Sequence, residues 1–433
     1  MNEYFAANYS EMEDALFEGI FPPVSKKDWL DKIEKDLRGK SYDSLIWEAS
    51  PGIDIEPLYT SEDWNKNKIA QQKSIAGNRV RNEWLIRQTL TNPNRKEIKL
   101  ALESGVDSIV VDATSVNKKS FDDHFIVKCY SSEEIARLRS FNPYFKITID
   151  PIGAWIIGKT EDPRLELIRD NPQVLRISGN VQHEAGATPE QELSGILAWL
   201  NEYLHFAKEN KLGKDFAKEI EIQISVGIDF FTEIAKLRAV RLLVSRLLEV
   251  YEIDIPLVIT GKTSQYRLGH KDQYTNLLRN TTMGLSAVIA GVDVLEVRPH
   301  TLHPDSFSLR LARNIQHLLK EEAFIDKVAD MSGGSYLIEE LTEKLVINAW
   351  KHFQLIEQKG GWINQVNEEK IKTVLVETHN DRVKKGLENN AVMVGINKFK
   401  NPDKDTKKQR RHKPLSKQPH VLIQQQISFD IEA

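Results

Sequence analysis

Two hydrophobic periods alternate along most of this chain. From residue 84 onward, short runs rich in Val and Ile give way to longer stretches in which apolar residues return every three to four positions. Continuous apolar runs of this length suit strands buried on both faces, and the intervening helices supply parallel crossovers. Eight such runs are read as strands: Trp84–Gln88, Ser108–Ala113, Phe125–Cys129, Phe145–Ile149, Val174–Ser178, Glu221–Val226, Leu257–Thr260 and Val292–Val297. Between them, TEIAKLRAVRLLVSRLLEVY shows the helical period most clearly, with Ile234, Leu237, Val240, Val244, Leu247 and Tyr251 on one buried stripe. Eight strand–helix units satisfy the closure of a TIM barrel, whose chemistry sits at the carboxyl ends of the strands. An open doubly wound sheet is the competing architecture, but it calls for a Gly-rich first turn, and neither G-x-G-x-x-G nor a Walker sequence occurs.

The flanks differ in texture. An amino-terminal arm over 1–80 contains the amphipathic helix KKDWLDKIEKDLRG, ended by Gly39, and the Pro-punctuated PGIDIEPLYT. The expected class is therefore α/β: an eight-stranded parallel barrel over 81–330 with a helical extension over 331–400. In that extension a run from Tyr336 to Lys359 is stopped by Gly360 and Gly361. A basic carboxyl-terminal strap covers 401–433. Lys398 to Lys413 alone holds eight basic and two acidic residues with no apolar period, which reads as a solvated surface segment.

Composition narrows the function classes. The 433 residues carry 59 Lys plus Arg against 63 Asp plus Glu, a net charge of -4, so the strong positive field of a nucleic-acid binder is missing. A single cysteine, Cys129, rules out an intrachain disulfide and the usual thiolate metal cages. The first residues, MNEYFAANYSEMEDALFEGIF, are acidic where a leader peptide is basic. The most apolar stretch, Gly284 to Leu295, contains Asp293 and falls well short of the roughly 20 residues a bilayer span requires. These features lead us to expect a cytoplasmic chain with no membrane or nucleic-acid partner.

Three loops at predicted strand ends gather chemistry. After the eighth strand, RPHTLHPD sets His300, His303 and Asp305 where zinc or iron ligands are conceivable, although the i, i+3 spacing in a Pro-bounded loop fits polar loop packing better. After the fifth, RISGNVQHEAGAT has Gly179 to permit a sharp turn. There His183 and Glu184 form either an acid/base couple or a loop that caps the helix beginning at Thr188-Pro189-Glu190. After the seventh, Lys262, Arg267, His270 and Lys271 supply positive charge suited to an anionic ligand or to an acidic partner chain.

Longer motifs add a resemblance. ISGNVQHEAGATPEQEL, DFFTEIAKLRAVRLL, YTNLLRNTTMGLSAVIAGVDVLEV, RLARNIQHLLKEEAFIDKVADMSGGSYLIEELTEKL, GGW and VGINKF occur in the order that resembles the acyl-CoA-binding barrel of the methylmalonyl-CoA mutase family, strongest from Val174 to Phe399 and traceable to IEPLYT and LIRQT. The resemblance implies a barrel that shields a radical generated by adenosylcobalamin on a separate flavodoxin-like domain, for the interconversion of methylmalonyl-CoA and succinyl-CoA.

The chain departs from the catalytic pattern in three places. The D-x-H-x-x-G cobalt-ligating signature does not occur in these 433 residues, and with roughly 35 residues after VGINKF no cobalamin domain is expected in them. Where catalytic relatives read R-Q-Y, this chain reads Arg87-Gln88-Thr89, without the Tyr that presses on the cofactor. Where they read G-Y-H, it reads Gly179-Asn180-Val181, without the Tyr and the His that polarises the thioester. Thr89, Asn180 and Val181 are thus degenerate positions, and no catalytic residue and no bound cofactor is expected in this chain. The pattern is similar to the small (beta) subunit of a heterodimeric mutase, whose large catalytic subunit would hold the cobalamin. The alternative is the substrate-binding chain of a split mutase with a separate cobalamin-binding protein. In catalytic relatives CoA threads a channel lined by small polar residues. Arg87, Gln88, Gln223 and Lys262 are the barrel-mouth residues left to keep a ligand contact, and together with Arg298 they are candidates for filling that channel.

Overall fold

The computed structural model describes residues 24–64, 75, 79–116, 125–171, 173–388, 390–401, 418, 420–422 and 424–432. Most of the expected basic strap and much of the expected arm lie outside those residues. By its contacts the chain divides after Trp64. In the first unit, helix α1 (Lys26–Asp36) starts at Ser25, whose side chain accepts from the Asp28 amide while Asp28 reaches back to the Ser25 amide. It ends, as the sequence suggested, at Gly39, which has φ +89°. An antiparallel hairpin of β1 (Trp47–Ser50) and β2 (Ile53–Ile55) follows.

The second unit contains the closed barrel. Its parallel strands are β3 (Leu85–Thr89), β4 (Ser108–Asp112), β5 (Phe125–Cys129), β6 (Lys146–Ile149), β7 (Val174–Ser178), β8 (Glu219–Val226), β9 (Leu257–Thr263) and β10 (Val294–Glu296), each paired with the next. Val294 pairs with both Leu85 and Thr260, which closes the ring and excludes the open-sheet alternative. All eight runs expected from the sequence are strands. The seventh extends past Thr260 to Thr263 because Lys262 turns into the barrel and meets Glu296 on the adjacent strand, so the ladder continues where the apolar run stops.

Helices in the second unit are α2 (Arg95–Glu103), α3 (Ser132–Phe141), α4 (Pro151–Ile156), α5 (Glu166–Asp170), α6 (Asn180–Glu184), α7 (Pro189–Glu209), α8 (Phe230–Val250), α9 (Thr275–Ile289), α10 (Ser306–His317), α11 (Tyr336–Gln358), α12 (Gly361–Asn367), α13 (Lys370–Leu387) and α14 (Ile427–Glu432). Helix α11 stops before Gly360 and Gly361, which take φ +94° and +83°. Helix α14 returns to the carboxyl end of the barrel, where Ile427 buries against Tyr266, Met393 and Ile396.

The apolar stripe expected on α8 is buried from Ile234 to Leu247, with Tyr251 partly covered. Burial on α8 extends well beyond the stripe, because α7, α9 and α11 pack around this helix as well as β9. Lys236 and Arg238, polar positions off the stripe, have no exposed surface. Arg238 repays its burial by donating to Glu339 of α11 at 2.6 Å and to the Ser332 hydroxyl at 3.1 Å. Removing one partner of such a pair leaves the other charged and dry, a loss of about 3–5 kcal/mol. Arg238→Met is therefore expected to lower unfolding free energy in urea by about that amount. A loss within about 0.5 kcal/mol, the size of an ordinary surface change, would mean that the ion pair does not hold α11 to the barrel.

Candidate functional site

Side chains on a strand alternate between faces, so every second residue of the barrel strands points to the axis. On β3 that residue is Arg87, whose Nε donates to the Ser108 hydroxyl at 3.2 Å and whose guanidinium pairs with Glu221 of β8. Arg176 of β7 donates to the other Glu221 oxygen at 3.0 Å, and the Thr260 hydroxyl of β9 donates to Glu221 at 2.8 Å. Glu221 has no exposed surface. Burial alone would raise its carboxyl, but Arg176 and Arg87 outweigh that cost and hold it far below the usual carboxylate range. One carboxylate between two guanidiniums thus fills the middle of the barrel.

Toward the carboxyl ends lies a second polar layer. Lys262 pairs with Glu296 at 2.7 Å. Burial pushes Lys262 down to about 7; Glu296 opposes the shift, and Arg298 and Lys128 add to it. Glu296 moves below its ordinary value: burial raises it, but Lys262, then Arg298 and Lys128, prevail. Lys128 of β5 is also lowered, by burial first and by Arg176 next. Lys128, Arg176, Gln223, Lys262 and the Asn180–Val181 turn border a cavity of about 150 Å³.

The structure separates the residues that the sequence grouped. Arg87 lies in the inner layer and is consumed by Glu221, and Gln223 and Lys262 border the mouth cavity. Gln88 is a correction: it points out of the barrel, accepting from Arg313 of α10 at 2.9 Å and donating to the Leu309 carbonyl, because it follows inward Arg87 by one residue. Arg298 lies on the rim, donating to the Thr263 carbonyl at 2.9 Å and standing 3.8 Å from Glu184. Thr89 ends β3, half-buried, with its hydroxyl enclosed and unbonded among the described residues. Asn180 and Val181 open α6 beside the cavity. The preceding Gly179 has φ -56°, so it is small for space rather than for a turn: a Cβ there would lie 2.5 Å from Ile196.

The remaining candidates do not converge. His183 faces Glu192 at 3.2 Å, whereas Glu184 accepts from the Ser225 hydroxyl at 3.2 Å and the Gln265 amide at 3.3 Å, so they form no acid/base couple. The capping alternative holds, with Thr188 and Gln191 forming the box at the start of α7. Asp305 caps α10 by accepting from the Ser308 amide at 2.7 Å, and His300 stacks on Tyr274 with ring centroids 5.7 Å apart. Among the described residues no three His, Cys, Asp or Glu groups gather as metal ligands. Lys262 is inside the barrel, Lys271 is exposed, and His270 is buried with its pKa lowered to about 4 by desolvation, while Arg267 borders a separate small cavity with Arg382, so the four do not converge. Cys129 is buried too, which pushes its thiol up to about 12.

Sequence reasoning passed over Lys128, Arg176, Glu221 and Glu296 as site residues. Their signal was a charge within an otherwise apolar strand, as in FIVKC, VLRIS and VLE. It also passed over the dry network in which Lys236 donates to Glu192 at 2.8 Å and pairs with Glu233 at 2.7 Å.

Comparison with known proteins agrees with this geometry. The family model described as methylmalonyl-CoA mutase matches residues 169–427. The methylmalonyl-CoA mutase small subunit of Porphyromonas gingivalis is 30% identical, over 88% of this chain and 70% of its own length. The small subunit from Propionibacterium freudenreichii subsp. shermanii is 28% identical over 88% of this chain and 69% of its own. The methylmalonyl-CoA mutase of Rhizobium meliloti is 28% identical over 86% of this chain and 64% of its own, so the chain spans about two thirds of these relatives.

Lys262 yields a pH prediction. Its pKa falls from the usual 10.5 in the unfolded chain to about 7 in the fold. Between those values the unfolded chain binds the proton that the folded chain has released, so this group makes stability rise with pH, by at most about 1.4 kcal/mol per pH unit. Below the folded value both states are protonated and its contribution is flat. Urea unfolding of wild type and Lys262→Met across pH 6–9 should show the wild type gaining on the variant above about pH 7. Parallel curves would refute the assignment.

Proposed function

The chain belongs to the methylmalonyl-CoA mutase family, and from that membership we propose that it is the small, non-catalytic subunit of a heterodimeric, cytoplasmic mutase. Its partner in this reading is a large subunit that carries adenosylcobalamin and interconverts methylmalonyl-CoA and succinyl-CoA. The observation that carries the proposal is the filled barrel: Arg87, Glu221 and Arg176 occupy the axis, and the space left at the mouth is about 150 Å³. Sites for ligands of drug or cofactor size take about 300–1,000 Å³, so a pantetheine arm has no path along this axis.

The mouth supports the same reading. Val181 offers no donor where the family resemblance expects the thioester-polarising His. A missing donor at an oxyanion position lowers turnover by about 10²–10³-fold even with every other group in place. The residues present do not fit a cobalamin either. Half-buried Thr89 stands where a Tyr would press on the cofactor, and its hydroxyl is enclosed. What the barrel retains is a stiff, ion-paired body suited to supporting a partner. Among the described residues no helix is long and apolar enough to cross a membrane.

Native mass spectrometry of this chain co-expressed with the cobalamin-binding mutase chain of the same genome is expected to give a one-to-one complex with one cobalamin. The chain alone is expected to leave methylmalonyl-CoA unchanged. Chains that remain apart, or turnover by this chain with a small separate cobalamin-binding protein, would overturn the subunit reading and favour a split mutase.

A further inference from the structure

The mouth cavity is bordered by cationic donors that no group of the described residues uses. Three cations border it: Lys128 from β5, Arg176 from β7 and Lys262 from β9. Most of the carboxylate oxygens within reach are already committed. Glu221 is shared by Arg87, Arg176 and the Thr260 hydroxyl, and Glu296 gives one oxygen to Lys262 and keeps the other unbonded among the described residues. Asp150, on the cavity edge, turns one oxygen to the Ser178 amide at 2.9 Å and the other to the Gly153 amide at 3.0 Å and the Tyr203 hydroxyl at 2.7 Å. Asp112 accepts from the Tyr130 hydroxyl at 3.1 Å.

Two of these cations keep donors that nothing among the described residues uses. Arg176 is only 2% exposed, yet its Nε and Nη1 bond nothing among the described residues. Lys128, half-buried, likewise makes no hydrogen bond or ion pair among them; burial and the neighbouring Arg176 disfavour its charge, and Glu296 and Asp112 partly offset them. Buried donors left unpaired are costly, and an arginine cannot escape the cost by losing its proton. A guanidinium edge beside an ammonium is a geometry that recognises oxyanions, the guanidinium by its fork of donors and the ammonium as a point charge.

We propose that this cavity binds a compact oxyanion, a phosphate or a small carboxylate, between Arg176 and Lys128. At about 150 Å³ it holds roughly five water volumes, which admits such an ion and excludes a CoA ester. Asn180 borders the space with an unbonded amide oxygen, and a half-turn of that amide presents its N–H groups to the ligand instead. The site is made from this chain alone and requires no partner subunit, so it stands or falls separately from the subunit role.

Isothermal titration of the dialysed full-length chain with inorganic phosphate, and separately with acetate, at ionic strength fixed by chloride, tests the site. Saturable binding of one ion per chain is expected, with Kd of about 1 mM or tighter. The arm that binds more tightly identifies phosphate or carboxylate as the ligand. Lys128→Met removes an unbonded, half-buried charge, so it should melt no lower than wild type in anion-free buffer while binding at least tenfold more weakly. Melting of the wild-type chain gives a second reading that needs no variant: the preferred ion should raise the melting temperature along a saturating curve, and chloride should not. A linear rise without saturation is the general effect of an excluded salt and would overturn the site. So would the absence of saturable binding with both ions, or equal affinity in Lys128→Met.

Discussion

The barrel is organised around one fully buried carboxylate. Glu221 on β8 sits between Arg176 on β7 and Arg87 on β3, across the axis, and Thr260 on β9 closes the set. Each member is affordable only with the others present, since an isolated charge at such a site would cost several kcal/mol of desolvation. The arrangement therefore ties together strands distant in sequence, and it fixes which face of β3, β7 and β8 points inward. A slip of one residue in any of them would expose a charge to the helix layer and an apolar residue to the axis.

What remains at the mouth follows from this filling. Lys262 and Glu296 continue the polar stack by one layer, so that the apolar packing of an ordinary barrel interior is replaced by ion pairs. Such an interior has little freedom to open for a long ligand, because moving any charge strands its partner. Outside the strands the same logic recurs. Lys236 and Arg238 on α8 are dry and ion-paired, the first to Glu192 of α7 and Glu233 of α8 and the second across to α11. The body is stiffened by charge pairs on both sides of the strand ring.

Helix α14 is joined to this body by a polar relay. Tyr266 meets His379 of α13 at 2.8 Å, and His379 meets Asp430 of α14 at 3.2 Å. The Ser428 hydroxyl donates to the Leu268 carbonyl at 2.6 Å. The loop after β9, which the sequence marked as a basic patch, is thus largely a docking platform for the returning chain.

Much of the fold was legible because local chemistry and global fold agree there. Alternating strand and helix periods gave eight strands close to their true bounds, Gly39 and Gly360–Gly361 gave helix ends, and Thr188-Pro189 gave the start of α7. Those features depend on neighbours within a turn or a strand, which a sequence contains. The site was less legible. Gln88 was placed beside Arg87 although strand alternation sends it outward, and Gly179 was read as a turn although it is small to clear Ile196. The sequence by itself determined the barrel and its family, because periodicity and motif order are local records. Only the tertiary structure decided which charges meet across the axis and which cations at the mouth keep unbonded donors. Pairing between strands more than a hundred residues apart depends on register and ring closure, and neither is written in any one segment of the chain.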